Sequence, residues 1–510
     1  MGDNEKRTLL AIGLTMLLIT AYTYFFLPTT NNNTKQQNSV AVNDNKTLTS
    51  KAISTEKKKT IKETYANVET DNFILKISTK TGAIKQFILK HYRLENKPVT
   101  LVASNGSYST LETVFRNKQV EEIEKNNSYI PDKININLEN KNTATLTLTK
   151  KDKEITIIKR YKFYKKTYAF DLTVKVLKNN KQTKETFSIY AGPNLGDLEK
   201  SRYSHLGAVA LVDNKKIRKD KKINPDENIN WIALESKYFC FALLPSNSNR
   251  IIGGYTNLDD NHYIYANLTS PTTIEIYGGP KSKQIIAAVD HHLDKIIRFG
   301  MFGFIGKPLL KVINILYSIV GNYGIAIIIL TFFIRLLFYP LSFKSYKSMK
   351  AMAKLQPQLK ELQVKYKGKP ELLNKATMEL YKKHKVNPFG GCLPVVVQIP
   401  VFLALYNVLL NAIELRGAPF AFWITDLSTK DPYYILPIIM GLTMFVQQKL
   451  TPSTMDPKQQ KIMMFMPLIF TVMFLNFPSG LVIYWTTNNI LTILQQFIDS
   501  KILQAKEQNV

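Results

Sequence analysis

Long apolar runs divide the 510-residue chain into segments of membrane type and segments of soluble type. A helix needs about 20 apolar residues to cross a bilayer, and six runs that contain no Asp or Glu approach this length. The pattern predicts an integral membrane protein with six transmembrane helices, at residues 8–27, 319–339, 392–413, 433–446 (extendable to 450), 462–477 and 481–498.

The first apolar run follows Lys6 and Arg7 and ends in the bulky sequence Tyr24–Pro28. A cleaved signal peptide is the alternative, but its apolar region is normally shorter and ends in small residues. We therefore predict that residues 1–28 form an uncleaved anchor helix. Residues 29–70 are polar and lack a hydrophobic period, so they are predicted to be a flexible tether.

A period of two begins near residue 71. Apolar and polar residues alternate, β-branched and aromatic residues predominate, and Gly, Asn and Asp separate the alternating stretches. This pattern is typical of half-buried antiparallel strands. Many such strands predict an all-β sandwich over residues 71–292; the clearest stretches are 73–77, 144–149, 154–158, 168–176 and 273–277.

Residues 293–310 mix three cations with bulky apolar side chains. Such a mixture favours an amphipathic helix lying in the membrane interface. A connector helix packed on the β domain is the alternative. The next segment, 311–340, is predicted to hold the second transmembrane helix, and 392–498 the third to sixth.

Residues 341–391 contain twelve Lys and three Glu. Short loops rich in Lys and Arg stay in the cytoplasm, so both termini are predicted to be cytoplasmic and the β domain extracytoplasmic. Apolar residues recur at helical spacing on both sides of Gly368-Lys369-Pro370, which predicts a helical hairpin, with a kink at Pro357. A short cytoplasmic tail is expected at 499–510.

The formal net charge of +29 is compatible with anionic lipid, nucleic acid or an acidic partner. Base-composition drift explains part of it equally well, because Lys far outnumbers Arg. With two Cys, no HExxH and no Walker loop, the chain is expected to have no metal, no cofactor and no catalytic site.

A single arginine, Arg335, interrupts the second apolar run. An arginine at mid-bilayer costs roughly 2.5 to 3.5 kcal/mol. If the helix ends at Pro340, the guanidinium lies about 7 Å from that end and is able to reach the headgroups.

Polar residues in other runs favour a different environment for this arginine. Gln398 lies in the third run, and Trp485, Asn489, Thr492 and Gln496 in the sixth run share one helical face. Hydrogen bonding between helices would account for such a stripe. Together with Arg335 and Gln398, the stripe equally fits a hydrated cavity inside the bundle.

The C-terminal motifs resemble the YidC family of membrane protein insertases, in its Gram-negative form. They appear in order and at suitable spacing between about residues 295 and 500: Thr331–Pro340, Val386–Pro394, Gln398–Phe402, Ala418–Trp423, Asp431–Pro437 and Phe477–Leu481. The resemblance implies five core transmembrane helices plus an N-terminal anchor, an extracytoplasmic β-sandwich and a cytoplasmic helical hairpin.

The resemblance also implies the function and the site. The family inserts and folds proteins of the bacterial inner membrane, alone or with the Sec translocon, through a hydrophilic groove open to cytoplasm and lipid. Nascent inner-membrane proteins, the bilayer, the Sec translocon and, less directly, the ribosome and the signal recognition pathway are implied partners, without a specific nucleic-acid substrate. The implied groove residues are Arg335, Gln398 and Thr492, and the implied substrate-contact helices carry Phe402, Tyr484, Trp485 and Met473.

Two other functions are compatible with a bundle attached to a β domain. A solute transporter or channel would be expected to show an internal repeat and a carboxylate at mid-membrane, and neither is evident in the sequence. A scaffold for other membrane complexes is the second alternative.

Overall fold

The computed structural model describes residues 63–94, 97–102, 106–196, 205–213, 215–218, 227–246, 250–259, 261–289, 291–387, 393–452 and 463–508. These residues form two compact units that divide between Ile297 and Arg298. The predicted anchor at 1–28, most of the predicted tether and Cys392 lie outside the described residues.

The first unit is rich in β-structure, as the period of two predicts. Its strands are β1 Tyr65–Glu69, β2 Phe73–Ser78, β3 Ile84–Leu94, β4 Lys97–Thr100, β5 Glu112–Phe115, β6 Ile130–Pro131, β7 Asn135–Asn137, β8 Thr143–Lys151, β9 Ile155–Tyr164, β10 Ala169–Lys178, β11 Lys181–Thr183, β12 Thr186–Ala191, β13 Gly207–Val212, β14 Lys215–Ile217, β15 Glu227–Ile229, β16 Trp231–Glu235, β17 Phe239–Pro245, β18 Ile251–Leu258, β19 Asn261–Thr269 and β20 Thr272–Pro280. Strand β1 lies inside the segment predicted as tether, so that prediction was wrong at its C-terminal end.

The strands form three sheets. Their orders are β4-β3-β2-β1-β7, then β14-β13-β16-β17-β20-β10-β9-β8-β6 with β11 paired to β10, and β15-β18-β19-β12-β5. Among the described strand pairs, only β1 and β7 run parallel. Strands β13 and β16 of the ten-stranded sheet pack against β19 of the third sheet.

Phe87 joins the first sheet to the ten-stranded sheet. Its ring lies 5.0 Å from Phe73, 6.3 Å from Phe170 and 6.2 Å from Phe241, measured between centroids. Strand β17, the run Phe239–Pro245, is buried at every position because it lies between β16 and β20 with both faces covered. This explains why its sequence is continuously apolar rather than alternating.

Glu235 is a buried carboxylate that fixes the segment following the last strand. It accepts hydrogen bonds from Arg218 Nε at 2.5 Å and Lys281 Nζ at 3.1 Å. Burial alone would raise the pKa of Glu235, but the positive charges of Lys281 and Arg218 outweigh that effect and lower it to about 2. Arg218 also donates to the carbonyl of Ile296 at 2.5 Å, so the ion pair ties this segment to β16.

Ten helices with described bounds complete the chain. They are α1 Lys118–Asn126, α2 Lys283–Ile286, α3 Gly303–Val320, α4 Tyr323–Lys354, α5 Gln356–Lys365, α6 Pro370–Lys383, α7 Leu393–Asn411, α8 Ile435–Leu450, α9 Met466–Phe474 and α10 Ser479–Gln508, with single 3-10 turns at Leu293–Ile296 and Ile413–Leu415. By length and composition, α3 and α4 are able to cross a membrane, and Val396–Asn411 and Ile435–Leu450 are shorter apolar helices.

The boundary between the predicted interfacial helix and the second transmembrane helix was wrong. Instead of one helix over 293–310, a 3-10 turn is followed by α3, which begins at Gly303 and runs to Val320. The break that follows has a local cause. Gly321 adopts a φ of 68°, which glycine tolerates, and the Asn322 side chain accepts a hydrogen bond from Ile325 N, capping α4.

Three further boundaries differ from the prediction. Helix α4 does not end at Pro340 but continues to Lys354. The disruption predicted at Pro357 takes the form of a break rather than a kink: α4 ends at Lys354 and α5 begins at Gln356, with Pro357 in its first turn, where the missing N–H is harmless. The predicted tail at 499–510 is helical through Gln508, as the end of α10.

Candidate functional site

A cavity of about 370 Å³ lies between α4, α7, α8 and α10 in the second unit. Three of its lining residues, Arg335, Gln398 and Thr492, are the groove residues predicted from the sequence. The polar groups come from three different helices. The structure therefore brings the predicted residues together.

Arg335 is held by two neutral side chains of α10. Its Nε donates to Asn488 Oδ1 at 2.9 Å, and its Nη2 donates to Thr492 Oγ1. Asn488 Oδ1 also accepts from Gln398 Nε2 at 3.1 Å. One amide oxygen thus joins helices α4, α7 and α10 at the cavity wall.

Arg335 lies well inside α4, because this helix does not end at Pro340. Nineteen residues separate it from Lys354 and twelve from Tyr323, or about 28 Å and about 18 Å of helix. The assumption that the helix ends at Pro340 was therefore wrong, and α4 continues beyond it into the lysine-rich segment. The guanidinium donates two hydrogen bonds to α10 inside the bundle.

The polar residues along the stripe of α10 have hydrogen-bond partners on two different neighbouring helices, α4 and α8. Thr492 bonds to Arg335, whereas Asn489 Nδ2 donates to Thr443 Oγ1 of α8 at 3.2 Å. Gln496 Nε2 donates to Thr451 Oγ1, directly after α8, at 2.9 Å. Part of the stripe therefore binds neighbouring helices together, and part contributes to the cavity.

Aromatic side chains close one part of the cavity wall. The ring of Trp485 lies 4.9 Å from that of Phe402 and 5.3 Å from that of Phe474. Tyr484 is buried with 1% of its surface exposed, and its ring stacks on Phe402 at 6.3 Å. Phe402 thus contacts both Tyr484 and Trp485, whereas Met473 is 43% exposed and does not line the cavity.

Sequence reasoning missed two features of this site. Asn488 was not named in the predicted polar face, although its spacing of three from Trp485 and four from Thr492 places it beside them, and it bonds to Arg335. Asp499 follows the sixth apolar run and also lines the cavity; it accepts hydrogen bonds from Tyr339 Oη at 3.0 Å and Gln495 Nε2 at 3.4 Å. Its spacing of seven from Thr492 was the signal that would have placed it on the same side of α10.

No metal-binding group of three or more His, Cys, Asp or Glu side chains occurs among the residues that the structure describes. What the cavity offers is one guanidinium, amide and hydroxyl groups, one carboxylate and aromatic rings. This chemistry is suited to binding polar peptide groups reversibly.

Two family models match the chain. The YidC periplasmic domain matches residues 65–312, and the 60Kd inner membrane protein family matches residues 315–507. The boundary between the two matches lies close to the boundary between the two structural units.

Relatives match the chain along nearly its full length. The membrane protein insertase YidC of Geotalea daltonii is 38% identical over 530 residues, with coverage of 98% of this chain and 100% of the relative. The YidC proteins of Syntrophus aciditrophicus (41% identical; 87% and 86% covered) and Campylobacter jejuni (34%; 99% and 97%) are similar to the chain as well. A crystal structure of an active YidC insertase matches with 17% identity and a TM-score of 0.38, covering 87% of this chain and 92% of that one. The extent and identity of the sequence matches establish that this chain belongs to the YidC family of membrane protein insertases.

Proposed function

We propose that the cavity around Arg335 receives hydrophilic segments of inner-membrane proteins during their insertion. One observation carries this proposal: both hydrogen-bond partners of Arg335 are neutral, and the side chain lies at the wall of a cavity inside a helical bundle. Among the described residues, no carboxylate forms an ion pair with it. Two of its five N–H groups donate to described side chains, and its charge is not neutralised by them.

An unneutralised guanidinium in a low-dielectric site attracts carboxylates strongly. Charge-assisted hydrogen bonds contribute about 1.5 to 3 kcal/mol, roughly twice the value for neutral pairs. An acidic client segment therefore gains more from this cavity than a neutral segment does. The cavity carboxylate, Asp499, does not cancel this effect, because its hydrogen bonds go to Tyr339 and Gln495.

Release of the client is driven by its apolar helix. Once the hydrophilic segment occupies the cavity, the adjoining helix is able to leave for lipid along the exposed apolar surfaces of the bundle. Residues such as Leu336 and Leu337 are 58% and 74% exposed there. Transfer of apolar surface out of water contributes roughly 25 cal/mol per Å². No continuous pore is needed.

The family places the β-rich unit in the periplasm. We propose that both chain termini and helices α5 and α6 face the cytoplasm, because the segment 341–391 carries twelve Lys and three Glu. The interfacial position of residues 293–310 also remains a proposal. The Sec translocon, the ribosome and the signal recognition pathway are proposed partners on the family resemblance alone.

The test compares Arg335→Ala with Arg335→Lys in cells depleted of the wild-type protein. We expect Arg335→Ala to slow the insertion of a single-span client with an acidic translocated tail, and Arg335→Lys to retain part of the activity. Protease protection of the client tail measures insertion. A client whose tail has Asn and Gln in place of Asp and Glu is expected to depend less on Arg335.

Lys501→Ala provides the matched control. Lys501 is exposed, lies outside the cavity and holds its ammonium 4.5 Å from the ring of Phe497. Its removal takes away one cation from the same bundle without altering the cavity. Normal insertion of the acidic client by Arg335→Ala, or equal loss with Lys501→Ala, would show that the cavity charge has no specific role.

A further inference from the structure

The loop between α7 and α8 presents an aromatic ring to the outside in an unfavourable conformation. Phe422 is 93% exposed and has a φ of 52°. Bulky residues rarely adopt the left-handed region, which costs roughly 1 to 2 kcal/mol for a residue other than glycine. Exposure of the ring to water adds a second cost at the same residue.

The surrounding loop holds Phe422 rigidly in this position. Phe420 N donates to Ile424 O at 2.9 Å across the turn. The neighbouring Trp423 donates from Nε1 to Asp431 Oδ1 at 2.9 Å, and Asp431 is 1% exposed and also accepts from Leu436 N at 2.7 Å. The exposed ring is therefore carried by an ordered turn that is tied to the first turn of α8.

This turn lies at one end of the helical bundle. Asn322, the cap of α4, donates from Nδ2 to Phe420 O at 2.8 Å. Gly480, at the start of α10, donates from its N–H to Leu427 O at 2.9 Å. The beginnings of α4, α8 and α10 therefore meet at the loop, which places it at the level where helices that cross a bilayer emerge from it.

Further aromatic residues surround this end of α8. Tyr433 is 66% exposed and Tyr434 is 37% exposed, and Lys430 Nζ lies 3.3 Å from Tyr434 Oη. Directly below them, α8 presents Ile438 and Leu442, which are 52% and 62% exposed. The aromatic group is thus continuous with an apolar surface of the kind that faces lipid in a membrane protein.

From this arrangement we infer that Phe422, Trp423, Tyr433 and Tyr434 form a membrane anchor that inserts into the headgroup region of the bilayer. Aromatic side chains collect at this level because one part of the ring system is apolar and another is polar. Lys430 is placed to reach lipid phosphates. The anchor sets the depth of this end of the bundle, and it does not depend on the role of Arg335 in insertion.

The test measures the depth of Trp423 in the full-length protein. Trp231 and Trp485 are replaced by Phe, and the protein is reconstituted into phosphatidylcholine vesicles brominated either near the headgroup or near the chain ends. We expect shallow bromines to quench Trp423 several-fold more than deep ones, and Phe422→Ser to reduce this quenching. Leu442→Trp, in a chain without other Trp, sets the depth scale and should be quenched most by deep bromines.

A second measurement covers the case in which the single-Trp protein does not fold. Phe422→Cys and Thr425→Cys are compared for labelling by a membrane-impermeant maleimide, with labelling of the parent chain subtracted. Thr425 is exposed in the same turn. We expect labelling at 422 to be several-fold slower than at 425 in vesicles, and similar at both positions in detergent. Absence of lipid quenching, or equal labelling in vesicles, would overturn the anchor and favour a surface for a protein partner.

Discussion

Replacement of Asn488 by Asp tests whether the charge of Arg335 acts on clients. Asn488 Oδ1 accepts from Arg335 Nε at 2.9 Å and from Gln398 Nε2 at 3.1 Å. Aspartate has the same shape and places a carboxylate oxygen at the same point. Both hydrogen bonds are retained, but the guanidinium now has a neutralising partner.

The magnitude follows from the kind of bond that an acidic client would lose. A hydrogen bond to a charged group contributes about 1.5 to 3 kcal/mol, and about 1.4 kcal/mol corresponds to a factor of ten. We therefore expect Asn488→Asp to slow insertion of an acidic client at least about tenfold. Its unfolding midpoint should stay the same or rise, because the guanidinium exchanges a neutral amide partner for an ionic one.

The assay uses purified protein in vesicles, with protease protection of a single-span client as the readout. The same client with Asn and Gln in its tail serves as the control, and it should insert at nearly the same rate with either protein. If Asn488→Asp inserts the acidic client as fast as the parent does, charge attraction is not the mechanism. Arg335 would then act by keeping the cavity polar and hydrated.

Three further predictions concern stability. The pKa of Glu235 is lowered to about 2 in the folded protein, against an unfolded value near 4.5. Its ionised form therefore contributes roughly 3 kcal/mol to the free energy of unfolding above pH 4.5, and this contribution is lost as the pH falls from there toward 2. Glu235→Gln should flatten this pH dependence, measured by urea unfolding followed by Trp231 emission. Tyr339→Phe removes a donor to the buried Asp499 and should destabilise the bundle by about 1 to 3 kcal/mol, measured by unfolding in mixed detergent micelles. Gly441→Ala should cost about 1 to 3 kcal/mol in the same assay, because the added Cβ would collide with Thr471 Oγ1 on α9; an unchanged midpoint would show that these helices separate easily.

The break between α3 and α4 illustrates how local chemistry limits a prediction made from hydropathy. The apolar residues continue on both sides of Gly321, so hydropathy alone placed the start of the second transmembrane helix near 319. The break depends on a left-handed glycine followed by an asparagine cap. Such signals were visible in the sequence, but they carry less weight than hydrophobicity in locating a span.

The continuity of α4 through Pro340 has the opposite explanation. Proline removes one N–H and usually ends or kinks a helix in water. In a bundle, neighbouring helices compensate for the lost bond, and α4 continues to Lys354. This difference places Arg335 well inside α4 rather than near its end.

Local patterns in the sequence were sufficient to determine the β-rich and helical segments, and to mark Arg335, Gln398 and Thr492 as polar residues in apolar surroundings. Periods of two and 3.6 residues are properties of single strands and helices, so no tertiary information is needed to detect them. Family membership likewise followed from motifs of consecutive residues.

Only the tertiary structure decided which polar side chain meets which. Asn488 and Asn489 are adjacent in sequence, but successive helical residues are rotated by about 100°. Asn488 therefore bonds to Arg335 on α4, and Asn489 bonds to Thr443 on α8. Asp499 joins the cavity because α10 continues past the apolar run. The packing of α10 between its neighbours, rather than the composition of any one helix, assembled the site.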